Sequence, residues 1–227
     1  MIDAEPGGIV VDVWADVVDP WCFIGKQRLR AAVTAYERPA LVRIRHRAYE
    51  LNPNRKPGER VPVAEYFERV YGGGIEAGRA MTAQVAEVAS EDGLELDFSR
   101  ALQTSTFDAH RLIALAAEMG GWELAQAALE RFYAAAFQEG LALDDHGVLL
   151  RIGAEAGLDE RRVASVLAGE DYADAVRADE ARAEELGVMG VPFVLANERA
   201  SAAGAQSVKV YLQLLHTAAS REGDEPH

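Results

Sequence analysis

The β-prone residues of this 227-residue chain lie almost entirely at its two ends, and the stretch between them is alanine-rich and helical in pattern. Residues 9–14 are rich in β-branched and aromatic types, and residues 40–49 alternate apolar Leu41 and Ile44 with arginines, so each segment is expected to form a strand. Between them Ile24, Leu29, Ala32, Val33 and Tyr36 recur at helical spacing and stop before Pro39. The opening unit therefore reads β-α-β, a crossover that favours a parallel pair. Residues 61–186 divide into six or seven helices at Gly72–Gly74, Gly93, Gly120–Gly121, Gly140, Gly157 and Gly169. At the far end residues 192–196 form an apolar strand, Asn197 and Glu198 occupy a tight turn, and residues 199–202 return antiparallel. A last helix opens at residues 204–206 and runs through Leu215, and the tail after Ser220 is polar. The order amounts to a split sheet with a helical insertion.

Composition narrows the partners. A hydrophobic fraction of 49% suffices for a substantial core, in one large domain or one domain carrying an insertion. A formal charge of −14 repels nucleic-acid phosphates and acidic lipid, and no basic block offsets it, so neither nucleic acid nor a membrane is expected as a partner. Residues 1–8 lack the basic start and apolar run of a secretion signal, and no apolar stretch is long enough to span a bilayer, which gives a cytoplasmic expectation. Cys22 is the single cysteine, so an intramolecular disulfide is excluded.

Chemistry concentrates at Asp19-Pro20-Trp21-Cys22. Asp19 suits a helix N-cap and Pro20 the first helical position, where its missing N–H costs nothing. The carboxylate is then placed to accept from the backbone N–H groups of Trp21 and Cys22, a cap worth about 1 kcal/mol. Two effects oppose each other at Cys22, since the helix dipole favours a thiolate and the neighbouring carboxylate disfavours one. Among other candidates, Asp144-Asp145-His146 reads as a helix N-terminus rather than a metal site, and His46, His146 and His216 follow no ligand spacing, so no metal is expected. The acid and arginine run at residues 177–185 reads as a solvated helix face. Tyr66, Phe67, Tyr71 and Trp122 fit core positions better than a groove.

The same tetrapeptide, with Tyr49-Glu50-Leu51-Asn52-Pro53, Thr106-Phe107-Asp108-Ala109-His110-Arg111-Leu112, Gly187-Val188-Met189-Gly190-Val191-Pro192-Phe193 and Gly204-Ala205-Gln206, resembles the DsbA-like family of FrnE type. The resemblance spans almost the whole chain. It implies a thioredoxin fold of the α/β class, with residues 1–60 and 187–227 as the thioredoxin-like part and residues 61–186 as an all-helical insertion between the second and third strands. The family motif is Cys-Pro-Trp-Cys, so its first cysteine is replaced here by Asp19, and Cys22 stands at the resolving, less exposed position. A dithiol cycle needs both sulfurs and is unavailable. The resemblance also implies a cis Val191-Pro192 peptide beside the motif, with the Val191 backbone pairing an extended peptide or glutathione. Carried over residue by residue, Cys22 and Asp19 are the candidate catalytic groups, and Trp21, His110, Val191 and Pro192 the substrate-binding ones, with two places open to His110: facing the groove near Cys22, or satisfied as a polar residue within the helical insertion. No tightly bound cofactor is implied, only glutathione or another low-molecular-weight thiol as co-substrate. Three functions are compatible with this pattern: single-cysteine redox chemistry, a glutathione-dependent isomerase or transferase of the hydroxychromene carboxylate isomerase or kappa-class kind, in which serine stands at position 19, and a non-catalytic binder.

Overall fold

A computed structural model describes residues 8–220, so the expectations about the N-terminal segment before Gly8 and the tail after Ser220 lie outside the described residues. Strand β1 (Ile9–Ala15) pairs in parallel with β2 (Val42–Ala48), from Ile9 opposite Val42 to Ala15 opposite Ala48. Its other edge pairs antiparallel with β5 (Phe193–Ala196), which in turn pairs with β6 (Ala200–Ala203). The sheet order is β2-β1-β5-β6, so its two central strands come from opposite ends of the chain. Asn197 and Glu198 turn the β5-β6 hairpin with φ of 50° and 55°. The Asn197 amide also accepts from Val10 N–H at 2.9 Å and donates to the Ala218 carbonyl, which ties the turn to its neighbours.

Alternation along β1 sends its side chains to two different layers. Ile9, Val11, Val13 and Ala15 join the main core with residues of α1 (Pro20–Ala35) and α8 (Val208–Ala219), including Leu29, Ala32, Tyr211 and Leu215. Asp12 and Trp14 face the other way, toward α7 (Ala173–Glu185). There the Asp12 carboxylate accepts from Arg45 at 2.5 and 2.8 Å and from Arg47 at 2.7 Å. Arg47 and the Ala48 N–H both reach Asp179 of α7, and the Trp14 indole donates to the Asp179 carbonyl at 2.8 Å. The run read as a solvated face is thus in part a docking face, with Arg177 also bound to buried Glu50.

Between β2 and β5 lie α2 (Val63–Tyr71), α3 (Ile75–Glu91), α4 (Phe107–Ala134), α5 (His146–Glu155), α6 (Glu160–Ala168) and α7. Spacing alone did not anticipate the two-residue pair of β3 (Val61–Pro62) with β4 (Leu102–Gln103). The expected cut at Gly120–Gly121 is a break inside α4 rather than a loop: both glycines leave helical geometry, and Gly121 has φ of 69°. Trp122 follows directly and stays partly exposed. Asp145 caps α5, accepting from Gly147 and Val148, in keeping with the helix-start reading of residues 144–146. No helix among the described residues is long and apolar enough to cross a membrane.

Candidate active site at the start of α1

The chain leaves β1 through a turn in which Asp19 N–H donates to the Asp16 carbonyl, and α1 then starts with Asp19 at its N-cap. One carboxylate oxygen accepts from Trp21 N–H at 3.1 Å, as the cap requires. The other accepts the Cys22 thiol at 2.9 Å. Burial sets the character of this pair: Cys22 is 1% exposed and Asp19 7%. Desolvation raises the Asp19 carboxyl to about 7, against the lowering effect of the hydrogen bonds from Cys22 and Trp21. Desolvation, then the charge of Asp19 and the bond to it, push the Cys22 thiol well above its ordinary value. The competition left open by spacing is therefore decided against a resting thiolate. Trp21 lies outside this pocket, with its side chain partly exposed.

The Val191–Pro192 peptide bond is cis, and Pro192 rests on the first turns of α1 at Gly25. A Cβ at Gly25 would lie 2.9 Å from Pro192 Cγ and 3.3 Å from the Tyr211 hydroxyl, so only glycine lets the loop approach this closely. The Pro192 carbonyl accepts from Gly204 N–H at 2.7 Å, and Tyr211 donates to the Gly204 carbonyl at 3.0 Å. The structure thus brings Asp19, Cys22, Val191 and Pro192 to one end of α1. Met189, three residues before Pro192, is almost wholly exposed.

His110 is placed elsewhere. Expected to face the groove, it is 1% exposed inside the protein, with Nδ1 3.2 Å from His46 Nε2 and Nε2 3.4 Å from Asp16 Oδ1. The two imidazoles lie nearly parallel. Burial, then the nearness of His110 and of the Arg47 guanidinium, holds His46 well below its ordinary value and hence neutral. Asp16, which also accepts from Leu51 N–H, and His46 were both missed as site residues. The one available signal was the alternation of β2, which puts His46 on the inward side with Val42, Ile44 and Ala48. Arg111, in the same motif as His110, binds the Val166, Gly169 and Asp171 carbonyls and so fastens α4 to the end of α6. Among the described residues no cluster of three or more His, Cys, Asp or Glu side chains is arranged to hold a metal ion.

Residues 10–216 match the family of DSBA-like thioredoxin domains. A probable DsbA oxidoreductase from Streptomyces coelicolor superposes with a TM-score of 0.88 at 34% identity, over 96% of this chain and 92% of that one. The cytosolic disulfide reductase DsbM from Pseudomonas aeruginosa, solved with GSH, gives 0.61 at 19% identity over 92% and 95% of the two chains. A 2-hydroxychromene-2-carboxylate isomerase gives 0.60 at 17% identity over 86% and 89%. No curated protein matches the chain at a significant level.

Proposed function

The chain belongs to the family of DSBA-like thioredoxin domains, and from that membership we propose that it is a FrnE-type, cytoplasmic member limited to single-cysteine thiol chemistry. Asp19 stands where the family motif has its first cysteine, and Cys22 is the chain's one sulfur nucleophile. The observation that carries this reading is the 2.9 Å bond from the Cys22 thiol to a carboxyl whose pKa is about 7. Such a carboxyl is a base placed on the sulfur. When Cys22 attacks a low-molecular-weight disulfide such as oxidised glutathione, the S–H proton passes to Asp19, a Cys22–S–S–R bond forms, and the departing R–S⁻ takes a proton to leave as R–SH. No second sulfur in the chain resolves the adduct, so turnover depends on an external thiol. Burial makes the attack slow.

The groove beside Pro192 supplies the binding surface in this reading. Val191 makes no backbone hydrogen bond to another described residue, which leaves it available to an extended peptide or to glutathione. Trp21 would flank the bound thiol, and His110 acts from behind through Asp16 rather than by contact. The test is incubation with oxidised glutathione followed by intact-mass measurement. One glutathione adduct per chain is expected, absent in Cys22→Ala and formed more slowly in Asp19→Asn, with no dithiothreitol-dependent insulin reduction above the Cys22→Ala control. A folded protein that gains no adduct at all would remove single-cysteine chemistry. A second reading then takes over, an isomerase or transferase in which Asp19, half-protonated near neutral pH, gives a hydrogen bond to a bound glutathione thiolate.

A further inference from the structure

Three carboxylates face the buried His110 imidazole: Asp16 of the turn before α1, Glu50 beyond β2 and Asp179 of α7. Glu50 has Arg177 at 2.7 Å, and Asp179 has Arg47 at 2.7 Å. Among the described residues Asp16 has no lysine or arginine partner. Its Oδ2 accepts from Leu51 N–H, while Oδ1 has before it only His110 Nε2, 3.4 Å away. Both of these facing atoms are shut off from solvent, and neither makes a regular hydrogen bond.

Where the protons sit on the two histidines follows from counting donors. His46 is neutral and carries one N–H. Placed on Nε2, that proton is donated to His110 Nδ1 across the 3.2 Å contact, so the His110 proton lies on Nε2 and points at Asp16 Oδ1. A single lone pair, on His46 Nδ1, then lacks a partner. The opposite order would leave a buried N–H on His46 without an acceptor and set the His110 Nε2 lone pair against the Asp16 carboxylate. An orphaned donor costs about 1–3 kcal/mol, so the first order holds.

The carboxylate at the end of this chain stands next to the reacting pair. The Asp16 carbonyl accepts from Asp19 N–H, so the two aspartates share one turn, and the charge of Asp16 acts on both Asp19 and Cys22. Tyr66 of α2 and Tyr133 of α4 also face Asp19, and none of the groups that act most on it is a cation. Building on the role of Asp19 as the base on Cys22, we propose that His46 and His110 are positioning residues for that reaction: their directed N–H groups keep negative charge on Asp16, and this charge sets how tightly Asp19 holds the proton it takes from the thiol. Neither histidine touches the substrate.

Carboxyl-carbon NMR of protein labelled at aspartate tests this, with the Asp19 resonance identified by its loss in Asp19→Asn. Asp19 of the parent should titrate at about 7. Asp16→Asn removes the like charge, and His110→Phe leaves the buried Asp16 to take up a proton. Each should lower the Asp19 midpoint by about half a pH unit or more, and the double variant should lower it no further. His46→Phe should move it the same way, and His46→Gln, whose amide puts an N–H where the ring Nε2–H was, should restore it. The pH profile of glutathione adduct formation should follow the NMR midpoint. This pattern of shifts in a protein that forms no adduct would support the chain and remove only the thiol chemistry it serves. An Asp19 midpoint indifferent to Asp16→Asn, single shifts that add in the double variant, or equal effects of His46→Phe and His46→Gln would each overturn the assignment. If the variants do not fold, imidazole-nitrogen spectra of the parent at about pH 8 decide: both histidines should be protonated at Nε2 and bare at Nδ1, and a proton on either Nδ1 would reverse the chain.

Discussion

Asp12 and Asp19 are buried to nearly the same degree, 5% and 7% exposed, within a few residues of each other, yet their surroundings differ completely. Asp12 lies under α7 and receives two guanidinium groups, Arg45 and Arg47. Asp19, beyond the end of the same strand at the cap of α1, receives a backbone N–H and a thiol, and the charge that acts on it is the like charge of Asp16. Burial with counter-ions turns the first carboxylate into a fastening between sheet and helix. Burial without them leaves the second holding a proton near neutral pH, the condition a general acid or base needs. What separates a structural from a chemical aspartate here is thus the charge that faces it, with depth held constant.

The largest effect that would sharpen this contrast is a pH-dependent stabilisation by Asp19→Asn. Asparagine keeps the cap. In the parent the folded chain retains a proton that the unfolded chain releases between the ordinary 3.8 and about 7, so stability falls as pH rises across that window. A tenfold change in proton affinity is worth about 1.4 kcal/mol, so the upper bound is ~4 kcal/mol. Urea melts at pH 4 and pH 8 should show the variant gaining on the parent at the higher value, and a constant difference would remove the special status of Asp19. Asp12→Asn should act in the opposite direction. It takes the anion from Arg45 and leaves Arg47 with Asp179 alone, and because both guanidiniums keep some contact with water the cost is about 2 kcal/mol. A loss below about 0.5 kcal/mol would show that water already does the work of the carboxylate.

His46 gives a third, smaller test with its own sign. Its folded value is depressed, so below the ordinary 6.5 the unfolded chain takes up a proton that the folded chain refuses, and stability falls as pH falls. His46→Phe should flatten that acid limb by about 1.4 kcal/mol per pH unit, read from melts between pH 6.5 and 5. Trp14→Phe is the smallest, costing about 1 kcal/mol through the lost bond to the Asp179 carbonyl. No change would mean that α7 is held to the sheet by its arginine contacts alone.

What was legible in the sequence was local. Asp19 as cap, Pro20 as first helical residue, the alternating arginines of β2 and the turn at Asn197–Glu198 each depend on neighbours a few positions away, and each element appears within a residue or two of its expected bounds. The β3–β4 pair was invisible because two residues per strand carry no period, and Pro62 argues against a strand at all. The motif containing His110 could be matched without revealing where the imidazole points. That depends on His46, on another element, and on the α4 helix covering the β2 edge, and no local spacing encodes either. The thiol bond to Asp19 was within reach of the cap geometry, whereas the burial that decides its consequence needed the whole fold.

The sheet order has a consequence for synthesis. As the nascent chain emerges, β1 meets its parallel partner β2 early, after a short helical crossover, but its other edge stays bare until β5 has been made and has closed a loop across nearly the entire chain. Through that interval a row of unpaired backbone donors and acceptors lies next to apolar Val11 and Val13, the kind of edge that recruits other strands. The rate of maturation is then governed by arrival of the last two strands rather than by the helices, which form from near neighbours and need not wait. A ribosome stalled before residue 193 would hold a chain rich in finished helices and exposed to aggregation along the middle of its own sheet.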